Sequence, residues 1–328
     1  MFLVFLTYHA NGQPSGGQNK LPIIDMHLHA FPANWFGPPP VDICHGDVEF
    51  PAGDPRGDPR ALHTCSEPFV SPLSDSLLMQ QTLAMLTTYN IIGVASGPLN
   101  IVRTWHETLP NRIIPALLFH IRNAPSVDSL RQLFNNRTVR VFGEVLTQYE
   151  GIAPGDSILA PYWTLAEELD IPVGIHIGPA PPGIAYTAMP NFRAALGNPL
   201  LLEPGLLRHP KLRVYVMHAG HPMIDAMLAL LYAHPQVYVD IGVICFVLPR
   251  SEFHHYLRRI VEAGFGSRIM FGSDQMLWPQ AIEAAIEAVE TADFLSSKQK
   301  RDIFYNNAAR FLRLSDDEIA RHHSQSRK

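Results

Sequence analysis

From residue 21 onward the chain alternates short apolar runs, rich in β-branched residues and bounded by Gly, Pro or Asn, with longer segments of helical periodicity. Runs that are apolar at nearly every position suit parallel strands buried on both faces, and the longer segments suit the helices that cross between them. The pattern predicts eight strands, over 22–27, 91–96, 112–120, 139–145, 172–177, 213–218, 237–241 and 268–273. It predicts helices over 74–89, 126–134, 161–169, 222–232, 251–263, 279–292 and 297–312, several opening on Pro or Ser as a first turn prefers. Eight strands alternating with helices within residues 21–314 is the arithmetic of a (β/α)8 TIM barrel, whereas open doubly wound sheets usually stop at about five to seven strands. A single barrel domain is the expectation.

One interval breaks the rhythm. Residues 30–73, between the first strand and its helix, are rich in Pro, Gly and Asp and carry Cys44 and Cys65. A long β1–α1 loop insertion of this kind is expected to be functional or disordered. In a barrel it would lie over the active site, on the C-terminal face. Residues 1–20 read as an N-terminal tail or a vestigial signal. Residues 1–6 are apolar, but no Lys or Arg precedes them, and the run is short of the roughly 7 to 15 residues a secretory signal needs. The cytoplasm is the favoured compartment and export the alternative. Residues 315–328 read as a C-terminal tail.

Composition narrows the class. Apolar residues make up 47% and charged residues 17%, against about 25% charged in a typical soluble domain, so a large core is expected. Lys and Arg number 25 against 30 Asp and Glu, for a net charge of −5, and no window gathers the basic residues as a phosphate-tracking surface would. Nucleic acid is excluded as a partner on that ground, and a membrane span by the lack of any apolar run of about 18 residues. A small-molecule substrate is expected, with a homodimer left open. Sixteen His against three Cys favour imidazole and carboxylate chemistry over a thiolate zinc finger or a disulfide scaffold. Cys44 and Cys65 would pair if the chain is exported and stay thiols in a reducing cytosol. Cys245 reads as a small buried hydrophobe.

The histidines matter by position. Asp25-Met26-His27-Leu28-His29 closes the first strand. Side chains alternate along a strand, so His27 and His29 point one way and can grip one ion, while Met26 and Leu28 point the other. Two satisfied core histidines would look the same. What sharpens the signal is that Glu144 ends the fourth strand, His176 the fifth, His218 the sixth and Asp274 the eighth. Six ionisable residues capping five apolar strands would be costly charges unless they share a cation, and strand C-termini are where barrel active sites are built.

These residues resemble the amidohydrolase superfamily, in the branch of metal-dependent hydrolases and related decarboxylases that opens on Asp-x-His-x-His. The resemblance runs from Ile23 to about Leu314, through Gly143-Glu144, His176, His218-Ala219-Gly220 and Gly272-Ser273-Asp274, to Phe304-Tyr305-Asn306-Asn307-Ala308-Ala309-Arg310. It implies a divalent metal, with zinc preferred over manganese or iron, and one or two ions. In the two-metal form His27, His29 and Asp274 would hold the more buried ion, His176 and His218 the second, and Glu144 would stand in the place of the bridging carboxylate. In the one-metal form His27, His29, His176 and Asp274 would hold the ion and His218 would act on substrate. Glu144 favours the former. A metal-activated water would attack the substrate carbonyl, with Asp274 as acid–base and His218 or His221 on the developing oxyanion.

Three functions compete: hydrolysis of an amide, ester or lactone of a small molecule; nonoxidative decarboxylation of a small carboxylic acid on the same barrel; and a catalytically inactive binding barrel, which the intact ligand set argues against. Weaker candidates are His120 and Asp240 at strand ends, which could contact substrate or support a ligand histidine. Trp35, Phe36, His45 and His63 in the long loop could shape the pocket or pack the loop on itself, and of Tyr186 and Arg193 after the fifth strand Arg193 could pair a substrate carboxylate or simply lie on the surface. Asn306, Asn307 and Arg310 read as structural.

Overall fold

The structure, a computed structural model, describes residues 20–46, 48, 50, 52–54, 56–57 and 65–324. His63, residues 1–19 of the expected N-terminal tail over 1–20 and residues 325–328 of the expected C-terminal tail lie outside the described residues. Eight strands form one parallel sheet in sequence order: β1 (Ile23–His29), β4 (Ile91–Ser96), β5 (Ile113–Phe119), β6 (Val141–Val145), β7 (Val173–His176), β8 (Val214–Met217), β9 (Val237–Asp240) and β10 (Ile269–Met270). The last strand keeps only two of its six expected residues in the ladder. Beyond it the chain still runs beside β1: Met26 N donates to Phe271 O (2.9 Å), Asp274 N to His27 O (2.7 Å) and His29 N to Gln275 O (2.9 Å). These bonds bring the sheet round to a nearly closed (β/α)8 barrel.

All strand residues of β1, β4 and β6 are buried, which is why the sequence shows no alternation there. Their side chains nevertheless divide between two cores. Ile24, Met26, Ile92, Val94, Ile114, Ala116, Val141 and Met217 fill the lower barrel interior, floored by Tyr305 and Phe311. Ile23, Leu28, Ile91, Ala95, Ile113 and Leu117 turn outward to the helices. Met26 and Leu28 therefore face opposite layers, contrary to strict alternation, because the β1–β4 register shifts between Asp25 and Leu28.

The outer layer contains α1 (Asp75–Thr88), α2 (Leu99–Thr108), α3 (Val127–Asn135), α4 (Ala160–Glu168), α5 (Glu203–Arg208), α6 (Ile224–Ala233), α7 (Ile244–Val247), α8 (Arg250–Ile260) and α9 (Gln280–Glu290). Ser74 and Ser126 cap α1 and α3 by accepting from Leu77 N and Ser129 N. Leu78, Leu83 and Leu86 form the buried stripe of α1, each contributing about 1.5–3 kcal/mol by burial. Helix α2 was not legible: it opens after Pro98 without a side-chain cap and carries β-branched Ile101, Val102 and Thr104, which weaken a helical pattern. The expected helix over 297–312 is three pieces, α10 (Ser297–Arg301), a wide π turn over Asp302–Asn306 and α11 (Asn307–Leu312). Part of the expected C-terminal tail is helical as α12 (Asp316–Ser324), opened by a mutual Ser315–Glu318 cap and packed through His322 on Tyr305.

The connection from β1 to α1 carries a two-residue antiparallel ladder, β2 (Asp42–Ile43) with β3 (Phe69–Val70), beside a Cys44–Cys65 disulfide. Trp278 Nε1 donates to Val41 O (2.7 Å) and Gly46 N to Phe246 O (2.7 Å), which tie it to the chain after β10 and to α7. Among the described residues no helix is long and apolar enough to cross a membrane.

Candidate metal centre

The six residues singled out at strand ends converge. His29 Nε2 is 3.1 Å and His27 Nε2 3.3 Å from Asp274 Oδ1, and His29 Nε2 is 3.5 Å from Glu144 Oε2. On the other side His176 Nδ1 lies 3.0 Å from both Glu144 Oε1 and His218 Nε2. Four ligands around a tetrahedral zinc with bonds of about 2.0–2.1 Å stand about 3.3 Å apart, so this spacing is that of a ligand shell. Three overlapping triads offer ligand atoms within 4.8 Å of one another: His27–His218–Asp274, His27–His29–Glu144 and Glu144–His176–His218. The cluster is compatible with a divalent metal. All six residues are buried, with Glu144 the most exposed at 6%.

The far side of three of the four imidazoles is held by a fixed partner, which turns the other nitrogen inward, while His176 Nε2 is buried without a hydrogen-bond partner. His27 Nδ1 is 3.2 Å from Asp240 Oδ2, His29 Nδ1 is 3.1 Å from Ser96 Oγ, and His218 Nδ1 is 2.9 Å from Gly242 O. The inward His27 Nε2 is buried without a hydrogen-bond partner, an arrangement that costs stability unless something binds there. Asp240 stands behind His27, and its Oδ1 also accepts from His218 N (3.1 Å) and Gly242 N (2.8 Å). Asp25 acts similarly, joining β1 to the chain after β10 by accepting from His27 N, Ser273 N and Ser273 Oγ. Gly242 is required by space, since a Cβ there would fall 2.6 Å from His27 Nδ1.

Electrostatics give the site its preference. Burial opposes charging His27, yet the carboxylates of Asp274 and Asp240 outweigh it and push its pKa up to about 10. Burial would raise Glu144 and Asp274, but the surrounding imidazoles hold both below the usual carboxylate range, His176 foremost for Glu144 and His27 for Asp274. A pocket that draws a proton onto a buried imidazole is one that welcomes a cation. His218 goes the other way, pushed down to about 4 by burial and by the neighbouring His176, so it is neutral. The backbone is strained at the same place: His218, Asp274 and β-branched Val243 all have φ of 53–58°, at about 1–3 kcal/mol each.

The remaining candidates separate. His120 faces Glu150 at 4.0 Å, and His221 packs on Tyr256 and faces Glu252 at 3.8 Å, so neither joins the cluster. His45 stacks on Phe69, Tyr186 is 84% exposed, and Arg193 donates to Pro190 O and Phe192 O in its own loop. Trp35 reaches the site indirectly, through a stack in which Phe31 lies 4.4 Å from both the His29 and Trp35 rings; Phe36 stacks on Trp278. Asn307 holds Gly266 O and Ile269 O, and Arg310 holds Ser267 O, the structural parts expected of them. Sequence reasoning passed over Tyr149, whose ring lies 4.6 Å from His176 and 5.4 Å from Phe192. Burial and the charges of Glu144 and Asp274 push its pKa well up. Its place five residues after Glu144, just past a strand end, was the available signal.

A family model described as amidohydrolase matches residues 24–314. Among solved structures, a probable 2-pyrone-4,6-dicarboxylic acid hydrolase from Acinetobacter baumannii is similar at 16% identity, covering 90% of this chain and 100% of that one with a TM-score of 0.57. A 5-carboxyvanillate decarboxylase from Sphingomonas paucimobilis is similar at 15% identity, covering 71% and 82% with a TM-score of 0.52. An uncharacterized TIM-barrel protein from Bordetella bronchiseptica is similar at 18% identity, covering 79% and 88% with a TM-score of 0.55. No curated protein matches by sequence. At these identities the likeness to the solved structures is one of fold.

Proposed function

The chain belongs to the amidohydrolase family, and on that premise we propose that it is a metal-dependent hydrolase cleaving an amide, ester or lactone bond of a small molecule. The observation that carries the reading is the buried, unbonded His27 Nε2 facing Asp274 among five other ligand-type side chains. His27, His29 and Asp274 would hold one cation and His176 with His218 a second, Glu144 lying between the groups. Zinc is the first choice, because imidazole and carboxylate at this spacing suit it. Such a cation, when bound, supplies Lewis acidity, polarising the substrate carbonyl and lowering the pKa of an attacking water from about 16 to about 7.

The other steps fall to side chains. Asp274, held ionised by its imidazole neighbours, takes the proton of the attacking water and passes it to the leaving group. His218, neutral and anchored by Gly242 O, offers Nε2 to a second cation or, in a one-metal form, to the substrate. Tyr149, protonated beside His176, is a donor available to the developing oxyanion. Purified protein stripped of metal and reloaded with zinc should hydrolyse members of a panel of amides, esters and lactones; inactivity across such a panel would count against the reading.

Decarboxylation is the second reading, favoured by the Sphingomonas decarboxylase among the structural neighbours. Release of carbon dioxide from aromatic carboxylates, with no hydrolysis in the panel, would select it.

A further inference from the structure

The opposite end of the barrel carries a different chemistry. Where β5 and β6 begin and the chain enters β7 and β8, two adjoining cavities of about 240 and 310 Å³ share Ile114, Arg137 and Arg140. Their floors are apolar, with Ile92, Ile113 and Pro115 in one and Val139, Val141 and Ile171 in the other. Their walls are basic. Arg137, Arg140 and Arg321 line the first against a single carboxylate, Glu318, and Arg137, Arg140 and Arg213 line the second against Asp170.

Both carboxylates are already engaged. Glu318 pairs with Arg140 at 3.2 Å, while Asp170 pairs with Arg213 at 2.9 Å and also with Arg313. Arg137 and Arg321 are left with no side-chain hydrogen bond or ion pair to any described residue. His322 also lines the first cavity; it is only 8% exposed, its Nδ1 meets the Tyr305 hydroxyl at 3.0 Å, and its Nε2 makes no hydrogen bond among the described residues. A chain of net charge −5 thus gathers unneutralised guanidiniums around an apolar floor. Guanidinium forks match carboxylates and phosphates in shape and charge.

We propose that these joined cavities bind a small organic anion, an acid group of the carboxylate or phosphate type on a compact apolar body. The acid bridges Arg137 and Arg321, with the His322 Nε2–H as a third donor, and the body rests on Ile114 and Pro115. Because Arg321 and His322 belong to α12 and Arg137 precedes β6, the ligand fastens α12 to the barrel beside the Arg140–Glu318 pair.

Isothermal titration of the full chain at low salt tests this with two probes, phthalate and inorganic phosphate. Phthalate should bind with Kd below about 1 mM, more tightly than phosphate because its ring meets the floor, and both should weaken as salt is raised. The double variant Arg137→Gln/Arg321→Gln breaks no ion pair, so its Tm without anion should stay that of the parent while phthalate affinity falls at least about tenfold, roughly 1.4 kcal/mol. Absence of binding by the parent, or undiminished phthalate affinity in the folded double variant, would overturn the proposal. The second result would place the anion elsewhere on the barrel.

Discussion

The two ends of this barrel are built from the same eight strands and carry opposite charge. At the C-terminal ends Asp25, Glu144, Asp240 and Asp274 surround four imidazoles, all of them buried, and the field is negative enough to lift His27 to about 10. At the N-terminal ends Arg137, Arg140, Arg213 and Arg321 line half-open cavities with only Asp170 and Glu318 to oppose them. The first end asks for a cation and the second for an anion. They also differ in how their side chains are held. The acidic end is held by partners behind His27, His29 and His218 and by strained backbone at His218, Val243 and Asp274, whereas the basic end depends on long arginine side chains and a C-terminal helix. Such preorganisation is what a catalytic site requires, while surface guanidiniums suffice to capture an anion.

The largest effect is expected at Asp274. Asp274→Asn keeps the shape but removes both a cation ligand and the proposed base, so turnover of any substrate found should fall by about 10²–10⁴, measured as kcat on metal-loaded protein. An unchanged rate would remove Asp274 from the mechanism. Asp240→Asn acts one step further out, by loosening the carboxylate behind His27 Nδ1. Zinc affinity in a competition titration should weaken by about 10- to 100-fold, with the fold retained by circular dichroism.

Glu144→Gln reports how much positive charge the acidic end takes. If Glu144 lies between two cations, zinc content should fall from two ions per chain toward one; unchanged content would select the one-metal form.

The smallest effect is expected at the basic end. Burial pushes His322 down to about 4, with Arg321, His323 and Arg140 adding to it and Glu318 opposing it. Its folded pKa lies below the unfolded value near 6.5, so between those values the unfolded chain binds the extra proton. The contribution of His322 to docking α12 is therefore complete above about pH 6.5 and is lost as pH falls toward 4. Amide hydrogen exchange in α12 should accelerate over that window, and His322→Gln should flatten the dependence.

The acidic end was largely legible in the sequence because its parts are local. An apolar run ending in His, Glu or Asp announces a strand and a ligand-type side chain at its tip together, and this pattern located β1, β6, β7, β8 and the chain after β10. The supports were harder to see. Ser96, Asp25 and the Gly242 carbonyl act across strands, and no local pattern links Ser96 to His29 or Asp240 to His27. The β1 register shift that sends Met26 and Leu28 to opposite layers follows from pairing with β4, which a single strand cannot reveal. The basic end was invisible because Arg137, Arg213 and Arg321 lie far apart in sequence and only the closed barrel gathers them. Helix α2 stayed hidden for want of a cap.

On the proposed function the convergent side chains at the acidic end bind a divalent metal. Elemental analysis of chelator-stripped, zinc-reloaded protein beside the variant His27→Gln/His29→Gln decides whether they do. Stoichiometric zinc, one or two ions per chain, is expected in the parent, with loss of at least one ion in the folded variant. Substoichiometric zinc in the parent, or the same content in both proteins, would contradict metal binding there.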